Sequence, residues 1–137
     1  MKVLVTEYLR INLETEQWEC RSCNHVHGSA RENYKKFMLI YDRDPREIHR
    51  PLLDPARYQF NFSPDPKACV IYEYYCSSCG TLVEAEYTVP GHEPLHDIEF
   101  DIDALKAQWA TREEMREGGT DTAGVVPAKH ASCGHPH

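Results

Sequence analysis

Two C-x-x-C pairs constrain the fold of this chain more than any other feature. Cys20 and Cys23 stand in "CRSC", and Cys76 and Cys79 stand in "CSSC". A C-x-x-C step in a tight turn lets both thiolates reach one ion, and two such turns facing each other give a tetrahedral S₄ site, the usual geometry of structural zinc. The spacing therefore predicts one shared metal site.

The residue that follows each pair supports a turn at that point. Gly80 follows the second pair, where the backbone often needs a positive φ. Asn24 follows the first pair, and Asn tolerates that conformation better than most residues. The 52 residues between the pairs, 24–75, exceed the loop of a compact finger. The pattern predicts a zinc ribbon with an inserted module.

The ligand set predicts the role of the metal but leaves its identity open. Four thiolates close the coordination shell and leave no position for water or substrate, so zinc here is expected to be structural. A thioredoxin-like redox pair is disfavoured because the second pair lies between strands rather than at the start of a helix. Iron in a rubredoxin-like electron carrier stays open. The aromatic residues that precede the pairs suit either metal: Trp18, Tyr72, Tyr74 and Tyr75.

Charge and hydropathy restrict the partners. The chain carries 15 Lys and Arg against 22 Asp and Glu, and acidic residues interrupt its densest basic stretch, 43–57. We therefore expect no nucleic-acid partner, which disfavours a nucleic-acid-binding zinc ribbon. No run of about 18 apolar residues is present, and the apolar start is short for a signal peptide, so we expect no membrane partner and a cytoplasmic protein.

The hydrophobic pattern predicts a mainly β fold with minor α. Strands are expected within 1–23, on either side of a turn near "NLETEQ", and again at 37–41, 69–75 and 82–89. The second cysteine pair then lies at the tip of a β-hairpin. In the last strand, Val83, Ala85, Tyr87 and Val89 are expected to share one face.

Two helices are predicted from their caps. Asp44 and Pro45 favour the start of a short helix. A second helix, capped by Asp101 or Asp103, presents one apolar stripe and is expected to end at Gly118; the stripe consists of Ile102, Leu105 and Trp109. The predicted architecture is a zinc-ribbon (rubredoxin-like) domain at 1–117, with the insertion at 24–75, followed by an extended tail at 118–137.

The tail and the histidines are further candidate sites. Residues 118–137 lack periodicity, and their small apolar content predicts that order comes from a partner. The tail's His130, Cys133, His135 and His137 could chelate metal, although docking on a neighbour is favoured. The other histidines are His25 and His27, which could ligate or bond a sulfur, and His92 and His96, which read as surface loop residues because Pro94 separates them.

No catalytic constellation is visible. The chain has no phosphate-cradling glycine loop, no G-x-S-x-G and no credible nucleophile–base pair. Cys69 is expected in a strand, as a small hydrophobe. The sequence does not predict a complete enzyme.

Four segments resemble the small γ subunits of acetone carboxylase and its relative acetophenone carboxylase. They are "WECRSCNH" (18–25), "YDRDP" (41–45), "IYEYYCSSCGTLVEAE" (71–86) and "HDIEFDIDALKAQW" (96–109). With their spacing they cover about residues 18–112. The first pair is arranged somewhat differently in acetone-type subunits, and the tail is not covered.

The resemblance implies a role in a larger enzyme. Such enzymes are cytoplasmic, biotin-independent ligases that use ATP to join a ketone and bicarbonate into a β-keto acid. Their large, hydantoinase-like subunits carry nucleotide binding and carbon–carbon bond formation, and the γ subunit is a zinc-bearing accessory piece. The resemblance thus implies ATP bound on other subunits and a hetero-oligomer.

Overall fold

The computed structural model of the 137-residue chain describes residues 1–114. Its first sheet is an antiparallel meander of four strands in the order β1-β2-β3-β4. These strands are β1 (Lys2–Leu4), β2 (Leu9–Asn12), β3 (Gln17–Cys20) and β4 (Val26–Ser29). The turn between β2 and β3 lies within the "NLETEQ" segment, where it was predicted. Glu16 takes a positive φ of 55° there.

The second sheet has three antiparallel strands in the order β5-β6-β7. They are β5 (Leu39–Arg43), β6 (Val70–Tyr75) and β7 (Leu82–Thr88). A 3-10 turn (Tyr34–Phe37) connects the two sheets, and α1 (Pro45–Ile48) follows β5. Helix α2 (Ile102–Trp109) comes after β7. The expected fold class, mainly β with minor α, is confirmed.

The core lies where the first sheet, β6, the 3-10 turn and α2 meet. Trp18 and Tyr34 are fully buried, with ring centroids 5.6 Å apart in an edge-to-face arrangement. Tyr74 of β6 and Ile102 of α2 belong to the same cluster. Of the aromatic side chains that precede the cysteine pairs, Trp18 and Tyr74 therefore lie in the core and Tyr72 packs against it.

The caps of both helices are confirmed, but the end of the second is not. The side chain of Asp44 accepts a hydrogen bond from the amide of Arg46. Asp101, not Asp103, caps α2. The prediction that α2 runs to Gly118 is wrong, because it ends at Trp109. Helical stability comes mainly from packing an apolar face, and residues 110–114 supply no large apolar side chain.

The predicted single apolar face of β7 is also wrong. The pairing with β6 is shifted between Tyr74 and Tyr75, and Val83 packs against the core. Tyr87, by contrast, is 55% exposed. One extra residue in a strand reverses the alternation beyond it, so the apolar residues that follow Val83 face away from the core. The strand predicted at 37–41 is likewise displaced, to Leu39–Arg43.

Lys35 is buried at the junction of the two sheets, with 1% of its side chain exposed. Its ammonium lies 3.1 Å from Glu86 of β7, 3.2 Å from Asp97 and 3.0 Å from the carbonyl of Leu95. A buried charge is tolerated when it is paired and hydrogen-bonded. This cluster ties β7 and the segment before α2 to the 3-10 turn.

The predicted tail and the predicted limits of the insertion are not tested by the structure. The tail at 118–137 and its boundary at 117 lie outside the described residues, as do His130, Cys133, His135 and His137. The limits of the insertion at 24–75 stay a prediction. Among residues 1–114, no helix has the length and apolar character needed to span a bilayer.

Candidate metal centre

Each cysteine pair lies in the turn of a β-hairpin. Cys20 is the last residue of β3, and the turn that contains Cys23 leads into β4. Cys76 directly follows β6, and the turn that contains Cys79 leads into β7. The predicted position of the second pair, at the tip of a hairpin, is confirmed.

The two turns share one hydrogen-bond pattern. In the first, the amide of Cys20 donates to the carbonyl of His25, and the amide of Asn24 donates to the carbonyl of Cys20. In the second, the amide of Cys76 donates to Thr81 and that of Gly80 donates back to Cys76. This pattern leaves the intervening amides free to point at the sulfurs. The two cysteine turns therefore have the same local backbone conformation.

The residues after both pairs adopt the predicted conformation. Asn24 has φ = 64° and Gly80 has φ = 74°. Only Gly enters this region without a steric cost, and Asn does so more readily than most other residues. The turn chemistry predicted from the sequence is confirmed at both positions.

The four sulfurs converge on one point. The Sγ atoms of Cys20 and Cys79 lie 3.9 Å apart, and those of Cys23 and Cys76 lie 3.8 Å apart. All four lie within 4.8 Å of one another. A tetrahedron with Zn–S bonds of about 2.3 Å has edges of about 3.8 Å. A disulfide requires about 2.05 Å. The spacing therefore fits four thiolates around one ion and does not fit disulfides.

The surroundings of Cys20, Cys76 and Cys79 shift the pKa values of their thiols in different directions. Burial raises the pKa of the Cys20 thiol to about 12, against opposing hydrogen bonds from the amides of Cys23 and Ser22. Burial also raises the pKa of Cys76. Cys79 is exposed, and the hydroxyl of Thr81, 3.1 Å from its sulfur, helps to lower its pKa to about 6. A cation at the centre would favour the thiolate form of all four groups.

A buried ion pair supports the first turn from the neighbouring strands. The guanidinium of Arg10 on β2 donates to Glu19 at 2.7 Å and to the side-chain oxygen of Asn24 at 2.7 Å. Arg10 and Glu19 are both 5% exposed. The pair therefore holds Asn24 in place directly after Cys23. The sequence carries no local signal for this link, because Arg10 lies 14 positions from Asn24 and belongs to no motif.

None of the histidines within residues 1–114 belongs to the sulfur cluster. Among residues 1–114, the four cysteines are the one group of three or more His, Cys, Asp or Glu side chains close enough to share an ion. His25 contacts the hydroxyl of Ser77 at 3.2 Å rather than a sulfur. His92 is exposed, as expected for a loop, and the ring of His96 lies 4.0 Å from Glu99.

His27 occupies an environment that the sequence did not indicate. It is the extra residue where the pairing shifts from Trp18–Gly28 to Glu19–Val26. Its ring is buried, and neither ring nitrogen has a hydrogen-bond partner among the described residues. Burial lowers the pKa of His27, with a smaller contribution from His25, which favours the neutral imidazole.

The chain is similar to known proteins over most of the described region. Residues 3–110 match a family model described as the acetone carboxylase gamma subunit. An acetophenone carboxylase beta subunit from Aromatoleum aromaticum is 43% identical over 107 residues, which is 78% of this chain and 81% of that protein. An acetone carboxylase gamma subunit from Xanthobacter autotrophicus is 28% identical over 96 residues, which is 69% of this chain and 54% of that protein.

Proposed function

Because the chain belongs to the acetone carboxylase gamma-subunit family, we propose that it is the zinc-binding accessory subunit of a ketone carboxylase. The complex is cytoplasmic, independent of biotin and driven by ATP. It carboxylates acetophenone or acetone with bicarbonate to a β-keto acid. The family membership inferred from the quoted segments is confirmed; the reaction, the metal and the location are the proposal.

The observation that carries the proposal is the cluster of four cysteine sulfurs, all within 4.8 Å of one another, in a member of this family. Its pair distances of 3.8 and 3.9 Å match the edge of a zinc–thiolate site. A bound zinc would be held by Cys20, Cys23, Cys76 and Cys79 and would join the β3–β4 turn to the β6–β7 turn. Four protein ligands leave no open position, so the ion supplies stability rather than Lewis-acid chemistry.

The division of labour follows from what surrounds the site. Two pairs of buried charges, Arg10 with Glu19 beside the first cysteine turn and Lys35 with Glu86 at the junction of the sheets, are neutralised inside the fold. We therefore assign ketone activation, ATP binding and carbon–carbon bond formation to the large, hydantoinase-like subunits. This chain is the non-catalytic partner in the hetero-oligomer.

The test of the metal uses the full chain and a matched cysteine control. We expect one zinc per chain by elemental analysis. Cys76→Ser should abolish zinc binding and unfold or strongly destabilise the chain, because structural zinc contributes about 10–16 kcal/mol of apparent binding energy. Cys69→Ser is the control, since Cys69 lies outside the cluster. A stable, metal-free Cys76→Ser protein would refute the structural zinc site.

The same preparation distinguishes a structural zinc subunit from an iron-containing electron carrier. A ferric tetrathiolate is coloured, whereas the zinc form is colourless, so a visible absorption band with stoichiometric iron would favour the rubredoxin-like function.

Membership in the carboxylase complex is tested by co-expression with the large subunits and mass spectrometry of the purified complex. The isolated chain should hydrolyse no ATP, and ATPase activity in an uncontaminated preparation would overturn the non-catalytic assignment.

A further inference from the structure

Strand β5 forms an apolar edge of the second sheet that no other described strand covers. Within the part of the chain that the structure describes, β5 pairs with β6 alone. Three consecutive residues of β5 are exposed: Leu39 (58%), Ile40 (50%) and Tyr41 (48%). Successive residues of a strand point to opposite faces, so β5 exposes apolar side chains on both faces.

The edge has few of the features that prevent strands from pairing. Free edges are usually protected by proline, by charge or by a covering element. The charged residues of β5 are Asp42, which is exposed, and Arg43, both at the end of the strand. The guanidinium of Arg43 is paired within the chain, with Glu73 at 2.7 Å and Glu47 at 2.6 Å. The stretch 39–41 therefore presents backbone groups and apolar side chains, and it contains no lysine or proline that would oppose pairing with another strand.

A groove of about 380 Å³ runs from this edge towards the cysteine centre. Its lining residues are Leu39, Ile40, Tyr41, Arg43, Tyr75 and Gly80. Gly80 closes the second cysteine turn, and its neighbour Cys79 is the exposed member of the tetrahedron. A segment that fills the groove would thus lie beside the sulfur centre.

Charge and chain direction indicate what fills it. Residues 39–50 carry three arginines and three acidic residues, so this surface is neutral on a chain whose net charge is −7. Two copies of the chain would bring −14 together, which opposes self-association. The last described residue, Glu114, accepts a hydrogen bond from the amide of Lys2 at 2.7 Å. The described part of the chain therefore ends beside β1 of the first sheet and not beside β5.

We propose that β5 and its groove are the docking site for an extended segment of a larger carboxylase subunit. The segment adds to the free edge as a strand, with main-chain hydrogen bonds to 39–43 and apolar side chains in the groove. This rests on the proposed function, because the partner is a subunit of that complex. The relatives with 43% and 28% identity are themselves named as subunits. A neutral, apolar contact predicts binding that survives high salt.

The first experiment compares charged variants in the co-expressed complex. Ile40→Lys and Leu39→Lys should weaken retention by the large subunits about tenfold or more, since truncating or charging a buried anchor removes most of its binding energy. Leu53→Lys is the control: Leu53 is more exposed, at 75%, but lies outside the groove. Zinc content and circular dichroism of each variant verify that the fold is intact.

A second readout reports on the backbone. Amide hydrogen exchange within 39–43 should be slower in the complex than in the isolated full chain, because an added strand pairs the alternate amides of β5 that point away from β6. Unchanged exchange there, with wild-type retention of Ile40→Lys, would overturn the docking site while leaving subunit membership intact. Failure of the wild-type chain to co-purify would instead overturn the proposed function.

Two other occupants give distinct results. A dimer of the isolated chain that Ile40→Lys dissociates, seen by analytical ultracentrifugation, would replace the large subunit with a second copy. Protection of 39–43 in the isolated chain that is lost on deleting 119–137 would assign the groove to the tail. Either result overturns the proposal.

Discussion

Lys35→Met is expected to be among the most destabilising single substitutions outside the cysteines. The ammonium of Lys35 lies within 3.0–3.2 Å of Glu86, Asp97 and the carbonyl of Leu95. Its side chain is 1% exposed, and Glu86 is 10% exposed. Methionine preserves much of the volume but leaves the carboxylate of Glu86 buried without its cation.

The expected magnitude follows from that burial. Removing one partner of a buried ion pair costs about 3–5 kcal/mol. Asp97 is 30% exposed, so water can reach it, and Glu86 keeps the hydrogen bond from Tyr74 at 2.8 Å. The lower end of the range, about 3 kcal/mol, is therefore expected. For a domain of this size it corresponds to a fall in melting temperature of about 10 °C.

The assay is urea denaturation at fixed zinc, followed by circular dichroism. Lys106→Met is the matched control, since Lys106 is 44% exposed and lies 3.5 Å from Glu16; an exposed pair contributes about 0–1 kcal/mol. Lys35→Met combined with Glu86→Gln should recover part of the loss, because the stranded charge is gone. Equal losses for Lys35→Met and Lys106→Met would refute the reasoning.

Three further predictions concern acid stability, packing and the tail. Burial alone would raise the pKa of Glu86, but hydrogen bonds from Tyr74 and Lys35 lower it overall. Its stabilisation is present above the unfolded pKa of about 4.3 and is lost as pH falls through the lower folded value. Glu86→Gln should therefore flatten the acid limb of a plot of unfolding midpoint against pH. Gly28→Ala would place a Cβ 2.5 Å from the ring of Phe37 and should cost about 1–3 kcal/mol by urea denaturation, with relief in a Phe37→Leu background. Deleting 119–137 should leave zinc content unchanged but weaken retention in the complex, and unchanged co-purification after a high-salt wash would contradict the tail's predicted role.

The sequence predicts those features whose causes are local. The C-x-x-C spacing, Asn24 and Gly80 specify the two turns, and a capping aspartate specifies each helix start. The end of α2 and the orientation of Val83 depend instead on which side chains meet the core, and those contacts come from distant parts of the chain. The Lys35 cluster was missed for the same reason, since Glu86 lies 51 positions away.

The candidate metal centre and the proposed docking edge are connected through strand β6. The β6–β7 hairpin carries Cys76 and Cys79 at its turn, and β6 pairs with β5 over the whole length of that strand, from Leu39–Tyr75 to Arg43–Ile71. Tyr75 is thus next to Cys76 in sequence and opposite Leu39 in the sheet. An ion that fixes the turn would also fix the register of the strand that supports β5. Zinc in such a subunit would therefore act on assembly, by holding a recognition edge rigid, without any contact with substrate.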